Sequence, residues 1–219
     1  MVPKKKPKSD KSRYYFFGSY PEQAKAPEGY QYTEGLDMVP EGWSEYHSES
    51  NDTIDLERMI DRQMGVESSY LPGRTSSAGA RGLGQFTDIA EKEVVRLGIM
   101  DEGWNPNDPV QAREAMSGYM ENLYDREFIH SDKSDPKVAY AKAAFAYNAG
   151  EGTARKELTR LREEGYDIYN SLDWINDINT ESREYIERLY GLDTPKGRKF
   201  EEDWPIMDRR RQQIFGEQS

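Results

Sequence analysis

Apolar side chains recur at the spacing of an α-helix from residue 51 onward. The first series repeats every three to four residues and consists of Leu56, Met59, Ile60 and Met64. This spacing puts the four side chains on one face of an amphipathic helix, and Asn51 or Asp52 is placed to cap that helix at its N-terminus. The pattern breaks over residues 69–85, where Gly and Ser are frequent and predict a loop.

Several more helices are predicted after this loop. A second amphipathic series runs through Phe86, Ile89, Ala90, Val94 and Leu97. Asp108-Pro109 and Asp135-Pro136 each place a capping side chain before a proline at the first helical position. The helix after Asp135 is apolar and Ala-rich nearly all the way round, with Lys142 as its central charge, so it should be buried between other helices. The last predicted helices cover residues at about 153–164, 171–176 and 180–190, the first and third closed by Gly165 and Gly191.

The sequence contains no convincing strand and no internal repeat, so the fold class is predicted to be mainly α. Residues 51–191 carry the helical pattern and form the folded domain. Residues 1–50 are too aromatic for an ordinary disordered tail and lack periodicity, which favours an extended N-terminal arm packed on the domain or on a partner. Residues 192–219 are polar and predict a charged C-terminal tail or appendage.

Composition narrows the possible functions. The chain has 219 residues and 35% hydrophobic content, enough for one domain with a proper core. A net charge of −11 argues against general nucleic-acid binding, because phosphate backbones attract basic surfaces. No apolar stretch reaches the roughly 20 residues that cross a bilayer. The basic N-terminal residues lead into Ser, Tyr and Phe rather than an apolar secretion core, so neither a membrane span nor a signal peptide is expected.

The available chemistry is limited by residue type. Cysteine is absent, which excludes disulfides, thiolate metal sites and Cys nucleophiles. The two histidines, His47 and His130, lie far apart without helical pairing, so a His-based metal centre or a Ser-His triad is not expected. Catalysis must therefore rest on carboxylates, hydroxyls and amides, and neither a metal nor a cofactor is predicted.

One carboxyl group is placed for acid catalysis. Glu67 follows Met64 by three residues and Ile60 by seven, so it projects from the apolar face if the first helix extends that far. Burial there disfavours the charged form and raises the pKa of Glu67, as a general acid near neutral pH requires. If the helix ends earlier, Glu67 is solvated, and position alone does not separate these two interpretations.

Four short motifs follow one another along the chain. They are the pair Glu67-Ser68 and the blocks Gly79-Ala80-Arg81-Gly82-Leu83-Gly84-Gln85, Ala146-Tyr147-Asn148-Ala149-Gly150 and Glu181-Ser182-Arg183-Glu184-Tyr185. In residue type and order they resemble the motifs of the soluble lytic transglycosylases, a lysozyme-like family of peptidoglycan-cleaving enzymes. That family usually has Met where Gly84 stands and Thr where Ser182 stands, and the loss of Met is expected to loosen sugar packing in the groove. The resemblance covers roughly residues 51–191.

The resemblance implies a fold, an activity and a set of site residues. The fold is a goose-type lysozyme-like helical domain. The activity is cleavage of the bond between N-acetylmuramic acid and N-acetylglucosamine with formation of a 1,6-anhydro end, Glu67 acting first as acid and then as base. Among the implied substrate contacts, Gln85 meets sugars or the peptide stem, and Ser68 hydrogen-bonds near the acid. Tyr147 fixes Glu67, Asn148 faces an N-acetyl group, and Tyr185 completes the wall beside Glu67.

Other functions stay open on the same residues. A goose-type hydrolase would use a positioned water and a second acidic residue, for which Glu151, Glu181 or Glu184 could serve. A non-catalytic structural or peptidoglycan-binding protein would keep the fold without turnover. Trp104 and Trp174 are candidates to line a sugar groove, although core positions suit both.

A biological setting is also expected from the resemblance. Cellular members of the family normally carry an export signal or lipid anchor, so a chain without one is expected to be a bacteriophage protein carried in the virion, opening the host cell wall locally. Its partners are then peptidoglycan strands and other virion proteins that contact residues 1–50 or 192–219. A phage lysis enzyme released through a membrane pore is the alternative.

Overall fold

The computed structural model describes residues 55–126, 128–130 and 134–216, together with the backbone of two short strands. Strands β1 (Tyr30–Tyr32) and β2 (Met38–Pro40) pair antiparallel, with Tyr30 opposite Pro40. No alternation in the sequence indicated this pair. The packing of the predicted N-terminal arm lies outside the described residues.

Seven α-helices follow in the described part of the chain, and the prediction of a mainly α fold is confirmed. A 3₁₀ turn at Asp173–Asp177 lies between the fifth and sixth helices. The α-helices are α1 (Leu56–Ser68), α2 (Asp88–Arg96), α3 (Pro109–Tyr124), α4 (Pro136–Ala149), α5 (Glu151–Glu163), α6 (Thr180–Tyr190) and α7 (Pro195–Phe215).

The helix ends show why these segments are helical. The Asp108 carboxylate accepts hydrogen bonds from the first turn of α3, and Asp135 does the same for α4, so both predicted caps are confirmed. Helix α6 is capped at its C-terminus by Gly191, whose φ of 59° lies in the left-handed region that glycine adopts without strain. The predicted cap of the first helix is wrong: α1 begins after Asp55, whose side chain accepts from the backbone N–H of Arg58 at 3.0 Å.

Helix α4 lies at the centre of the domain and packs against α3, α5 and α6. Every residue from Val138 to Ala146 is buried, as its apolar composition predicted. Lys142 is buried with them, its Nζ 4.9 Å from the centre of the Tyr169 ring, and burial lowers the pKa of Lys142 to about 8. Trp174 is fully buried against Phe145, so of the two expectations for this tryptophan the core position is confirmed.

Helix α2 departs from its predicted buried face. Val94 is its buried residue, whereas Ile89 is 81% exposed. The helix is short and touches the rest of the domain mainly through α3, and the partly buried Ala90 packs against the core beside Val94.

The C-terminal segment is helical where a charged tail was expected. Helix α7 packs along α6 and reaches α1, with Phe200 and Met207 buried in these contacts. Arg62 of α1 forms an ion pair with Glu201 of α7, and its guanidinium lies 5.0 Å from the centre of the Phe200 ring. The charges of this segment thus cover the outer face of a helix that braces the domain. Among the described helices, none is both long enough and apolar enough to span a bilayer.

Candidate active site

Glu67 lies in the last turn of α1, so the helix extends far enough to hold it on the apolar face. The chain then reverses through two residues in the left-handed region, Ser69 at φ 54° and Tyr70 at φ 55°. Val66 and Ser68 on either side are buried, while Glu67 itself is partly buried. The carboxyl group is therefore shielded from bulk water but still accessible.

A tyrosine from another helix holds this carboxyl group. The Tyr185 hydroxyl of α6 donates to Glu67 Oε1 at 2.6 Å, and Tyr185 is only 2% exposed. Burial raises the pKa of Glu67 to about 7, against the opposing effects of the Tyr185 hydrogen bond and the positive charges of Arg188 and Arg74. At neutral pH the protonated and ionised forms are thus close in energy, which suits a group that must give and retake a proton.

Tyr147 stands beside this pair with a different hydrogen bond. Its hydroxyl donates to the Gly84 carbonyl at 2.6 Å, and the Glu67 charge is one cause of its raised pKa, after burial. The ring packs edge-on to Phe86, with the ring centres 6.2 Å apart. The implied role of Tyr147 in fixing Glu67 is therefore corrected: the structure gives that hydrogen bond to Tyr185.

The loop between α1 and α2 supplies the carbonyl that anchors Tyr147. A Cβ atom placed on Gly84 would lie 2.4 Å from the Phe86 ring, so no side chain fits there while Phe86 keeps its position. Phe86 in turn packs edge-on to Trp104, with ring centres 5.2 Å apart. The absence of Met at Gly84 thus does not leave the expected gap, because the Phe86 ring occupies that space.

Gln85 is partly buried and supports the same loop. Its Nε2 donates to the backbone carbonyls of Gly82 at 2.8 Å and Arg74 at 3.1 Å. Its φ of 48° is in the left-handed region, which these hydrogen bonds help to hold. Both amide protons are therefore used inside the protein, and a contact with a substrate is left to Gln85 Oε1.

Ser68 does not face the site. It is fully buried, and its hydroxyl donates to the Met64 carbonyl one turn earlier in α1 at 3.0 Å. The predicted contact of Ser68 with a substrate, or with the acid, does not fit this placement. Its small side chain instead closes the end of α1 against the core.

Asn148, at the end of α4, is brought to the same side as α6. Its Oδ1 accepts from the Ser182 hydroxyl at 2.7 Å, and the residue is partly buried. Ser182 and Tyr185 are three residues apart on α6 and so share one face of that helix. The first turns of α6 therefore contact both Asn148 and Glu67.

The other acidic candidates are engaged elsewhere. Glu151 pairs with Arg155 at 3.3 Å and with Arg126 at 3.7 Å, and Glu184 pairs with Lys196 at 3.1 Å. Glu181 is exposed at the start of α6. Within the described residues, the charged groups that shift the pKa of Glu67 are Arg188 and Arg74. The described residues do not contain a cluster of three or more side chains suited to a metal ion.

Sequence reasoning missed the two arginines that act on Glu67. Arg188 follows Tyr185 by three residues and lies on the same face of α6, a spacing that was visible in the sequence. Arg74 belongs to the irregular loop, where periodicity gives no indication of direction. Trp104 is partly buried and packs against the core through Phe86.

A comparison with known families identifies part of the chain. The model of the transglycosylase SLT domain family matches residues 52–170, just over half of the chain. The matched segment contains Glu67, Gln85 and Asn148, whereas Tyr185 lies beyond it. Neither a curated protein nor a solved structure matches the chain. The chain therefore belongs to the transglycosylase SLT domain family, whose members are generally lytic transglycosylases acting on peptidoglycan.

Proposed function

We propose that this protein cleaves the β-1,4 bond between N-acetylmuramic acid and N-acetylglucosamine and leaves a 1,6-anhydro end. The observation that carries the proposal is the environment of Glu67. Its pKa is raised to about 7, its Oε1 accepts from Tyr185 at 2.6 Å, and the charged groups that act on it are Arg188 and Arg74. Membership of the SLT family supplies peptidoglycan as the substrate class.

In the proposed reaction, protonated Glu67 donates its proton to the glycosidic oxygen and becomes a carboxylate. The Tyr185 hydroxyl and the charges of Arg188 and Arg74 stabilise that carboxylate. The carboxylate then takes the proton of the muramyl 6-hydroxyl, whose oxygen attacks C1 of the same sugar and closes the anhydro ring. One proton leaves Glu67 and one returns, so the acid is regenerated without water.

The surroundings of the other acidic candidates favour this reaction over hydrolysis. Inverting and retaining glycosidases use two carboxyl groups at most about 9.5 Å apart, one of them acting on water or on the sugar. Here Glu151 and Glu184 are bound in ion pairs with basic side chains, and Glu181 faces solvent. A single carboxyl group that cycles between its two forms suits intramolecular attack by the 6-hydroxyl.

Digestion of purified sacculi tests the proposal. Wild type is expected to release anhydro-muropeptides, which are lighter by one water than hydrolysis products and are identified by mass spectrometry. Glu67→Gln keeps the size and the hydrogen-bond acceptor for Tyr185 but has no proton to give, so it should release almost none. Glu181→Gln changes an exposed glutamate and is the matched control, with release expected at the wild-type level.

Three results would contradict the proposal. Fragments with reducing ends would indicate a hydrolase. Binding to sacculi without release would indicate a non-catalytic protein. Undiminished release by Glu67→Gln would show that another residue is the acid.

We also propose that the protein is carried in a bacteriophage particle and opens the host cell wall locally during infection. This setting stays a prediction from the sequence resemblance. Mass spectrometry of purified particles tests it, because a virion component is recovered at constant stoichiometry with the capsid. Absence from purified particles would favour a lysis enzyme instead.

A further inference from the structure

A chain of hydrogen bonds runs from the N-terminus of α6 to Asn148. The Asn179 side chain caps α6 by accepting from the backbone N–H of Ser182 at 2.9 Å. The amide nitrogen of Asn179 donates to the Ser182 hydroxyl at 3.0 Å. The Ser182 hydroxyl donates in turn to Asn148 Oδ1 at 2.7 Å. Ser182 is 1% exposed, so its hydroxyl is shielded from water that could replace these partners.

The direction of the first two bonds in this chain is fixed by its first member. A backbone N–H can only donate, so the Asn179 atom that faces it must be the carbonyl oxygen. The other end of the Asn179 amide is then a donor, and Ser182 Oγ must accept from it. In the structure the single proton of the Ser182 hydroxyl goes to Asn148, whose facing atom is the oxygen Oδ1.

This polarity decides which face Asn148 presents to the site. With Oδ1 bound to Ser182, the Nδ2 group points the other way. Within the described residues, Asn148 Nδ2 makes no hydrogen bond. The buried side-chain atoms that lack a partner there do not include it, so Nδ2 is exposed and can be reached by a ligand. Asn148 thus offers a donor, which fits a carbonyl oxygen, and not an acceptor, which would fit an N–H group.

We infer that Ser182 and Asn179 are positioning residues that lock the Asn148 amide so that its Nδ2 binds the carbonyl oxygen of a sugar N-acetyl group. This inference rests on the proposed function and adds selection for N-acetylated glycan. Without the Ser182 hydroxyl the Asn148 amide is free to turn by 180°, which places its oxygen against the acetyl oxygen. The two acceptors then repel each other.

The same helix serves the acid, which makes the two effects separable. Tyr185 contacts Glu67 one turn after Ser182 contacts Asn148. A substitution at Ser182 removes the second contact while Tyr185 stays in place. Loss of acetyl selection without loss of the Glu67 hydrogen bond is therefore the signature of the inferred role.

The test compares glycan strands before and after chemical de-N-acetylation. Binding is measured by calorimetry in the Glu67→Gln background, where no cleavage interferes. The Glu67→Gln protein, the parent of the other variants, is expected to bind acetylated strands with at least ten-fold higher affinity than de-N-acetylated strands. Ser182→Ala should reduce this preference to two-fold or less, whereas Ser182→Thr keeps the hydroxyl and should restore it. Asn148→Ala should also abolish the preference, and adding Ser182→Ala to it should change nothing further.

Outcomes of this test and of the cleavage assay can be told apart. Failure of wild type to cleave sacculi would reject the proposed function. The binding measurement needs no cleavage, so it would still test whether Ser182 controls the preference for acetylated strands. An unchanged preference in Ser182→Ala would overturn the inference, and so would a parent that does not distinguish the two strands. Thermal unfolding of each variant identifies any that is misfolded, and Ser182→Thr then gives the decisive comparison.

Discussion

Replacing Glu67 by Gln should stabilise the protein, and the gain should depend on pH. The folded protein holds the Glu67 proton more tightly than the unfolded chain, since its pKa rises from the ordinary 4.5 to about 7. The free energy of unfolding therefore falls as the pH rises through this window, because Glu67 ionises more readily in the unfolded chain than in the folded protein. At 1.36 kcal/mol for each pH unit, the gap between the two values corresponds to about 3 kcal/mol, an upper value because Glu67 is partly exposed. Gln has no charge to bury and escapes this loss.

Chemical denaturation at a series of pH values measures the effect. The difference in free energy of unfolding between Glu67→Gln and wild type should grow between pH 4.5 and 7, the window set by the two pKa values, and stay constant above it. Glu102→Gln, at an exposed position in the loop between α2 and α3, is the control for a glutamate without this burial. A difference between Glu67→Gln and wild type that is the same at pH 5 and pH 8 would refute the reasoning, because Glu67 would then be an ordinary solvated carboxylate.

Two further substitutions probe the contacts around the acid. Tyr185→Phe removes the hydroxyl that favours the ionised form, so the pKa of Glu67 should rise further and the alkaline limb of the pH–rate profile should move to higher pH; an unmoved or lowered limb would contradict this role. Gly84→Ala should lower the free energy of unfolding by about 1–3 kcal/mol, since its Cβ would lie 2.4 Å from the Phe86 ring. The loss should shrink when the substitution is made in a Phe86→Leu background, and an equal loss in both backgrounds would show that Phe86 is not the cause.

The parts of the site that could be predicted are those set by local pattern. The three- and four-residue spacing of α1 puts Glu67 on the apolar face if the helix extends that far, and the helix does continue through Glu67 to Ser68. Asp135 before a proline marked the start of α4, and the even apolar composition of that helix indicated burial on all sides. Each of these features depends on residues within one or two turns, which is the range over which helical periodicity is informative.

The hydrogen-bond partners of the site residues could not be predicted in this way. Whether Tyr147 or Tyr185 reaches Glu67 depends on how α4 and α6 pack against α1, and these helices are far apart in sequence. The structure gives Tyr185 to Glu67 and Tyr147 to the Gly84 carbonyl. The sequence motifs thus indicated correctly that two tyrosines lie near the acid. The hydrogen-bond partner of each hydroxyl depends on tertiary packing and could not be predicted.

Helix α7 was missed although the sequence contained a signal for it. Thr194 precedes Pro195 as a capping residue, and Phe200, Trp204 and Met207 follow at helical spacing. The many charges between them lowered the apparent amphipathicity of the segment. A helix that covers a domain edge needs only a narrow apolar stripe, so a high charge content did not exclude it.

The proposed chemistry depends on this C-terminal part of the chain. Arg62 of α1 donates to the Leu189 carbonyl near the end of α6 at 2.7 Å, and Glu201 of α7 is its counter-ion. This buried guanidinium ties α1 to α6 and so fixes the distance over which Tyr185 reaches Glu67. The segment matched by the family model ends at residue 170 and lacks both α6 and α7. That segment alone contains the acid but not the hydroxyl that stabilises its carboxylate, so the release of the proton to the glycosidic oxygen is the half of the cycle that depends on the C-terminal helices.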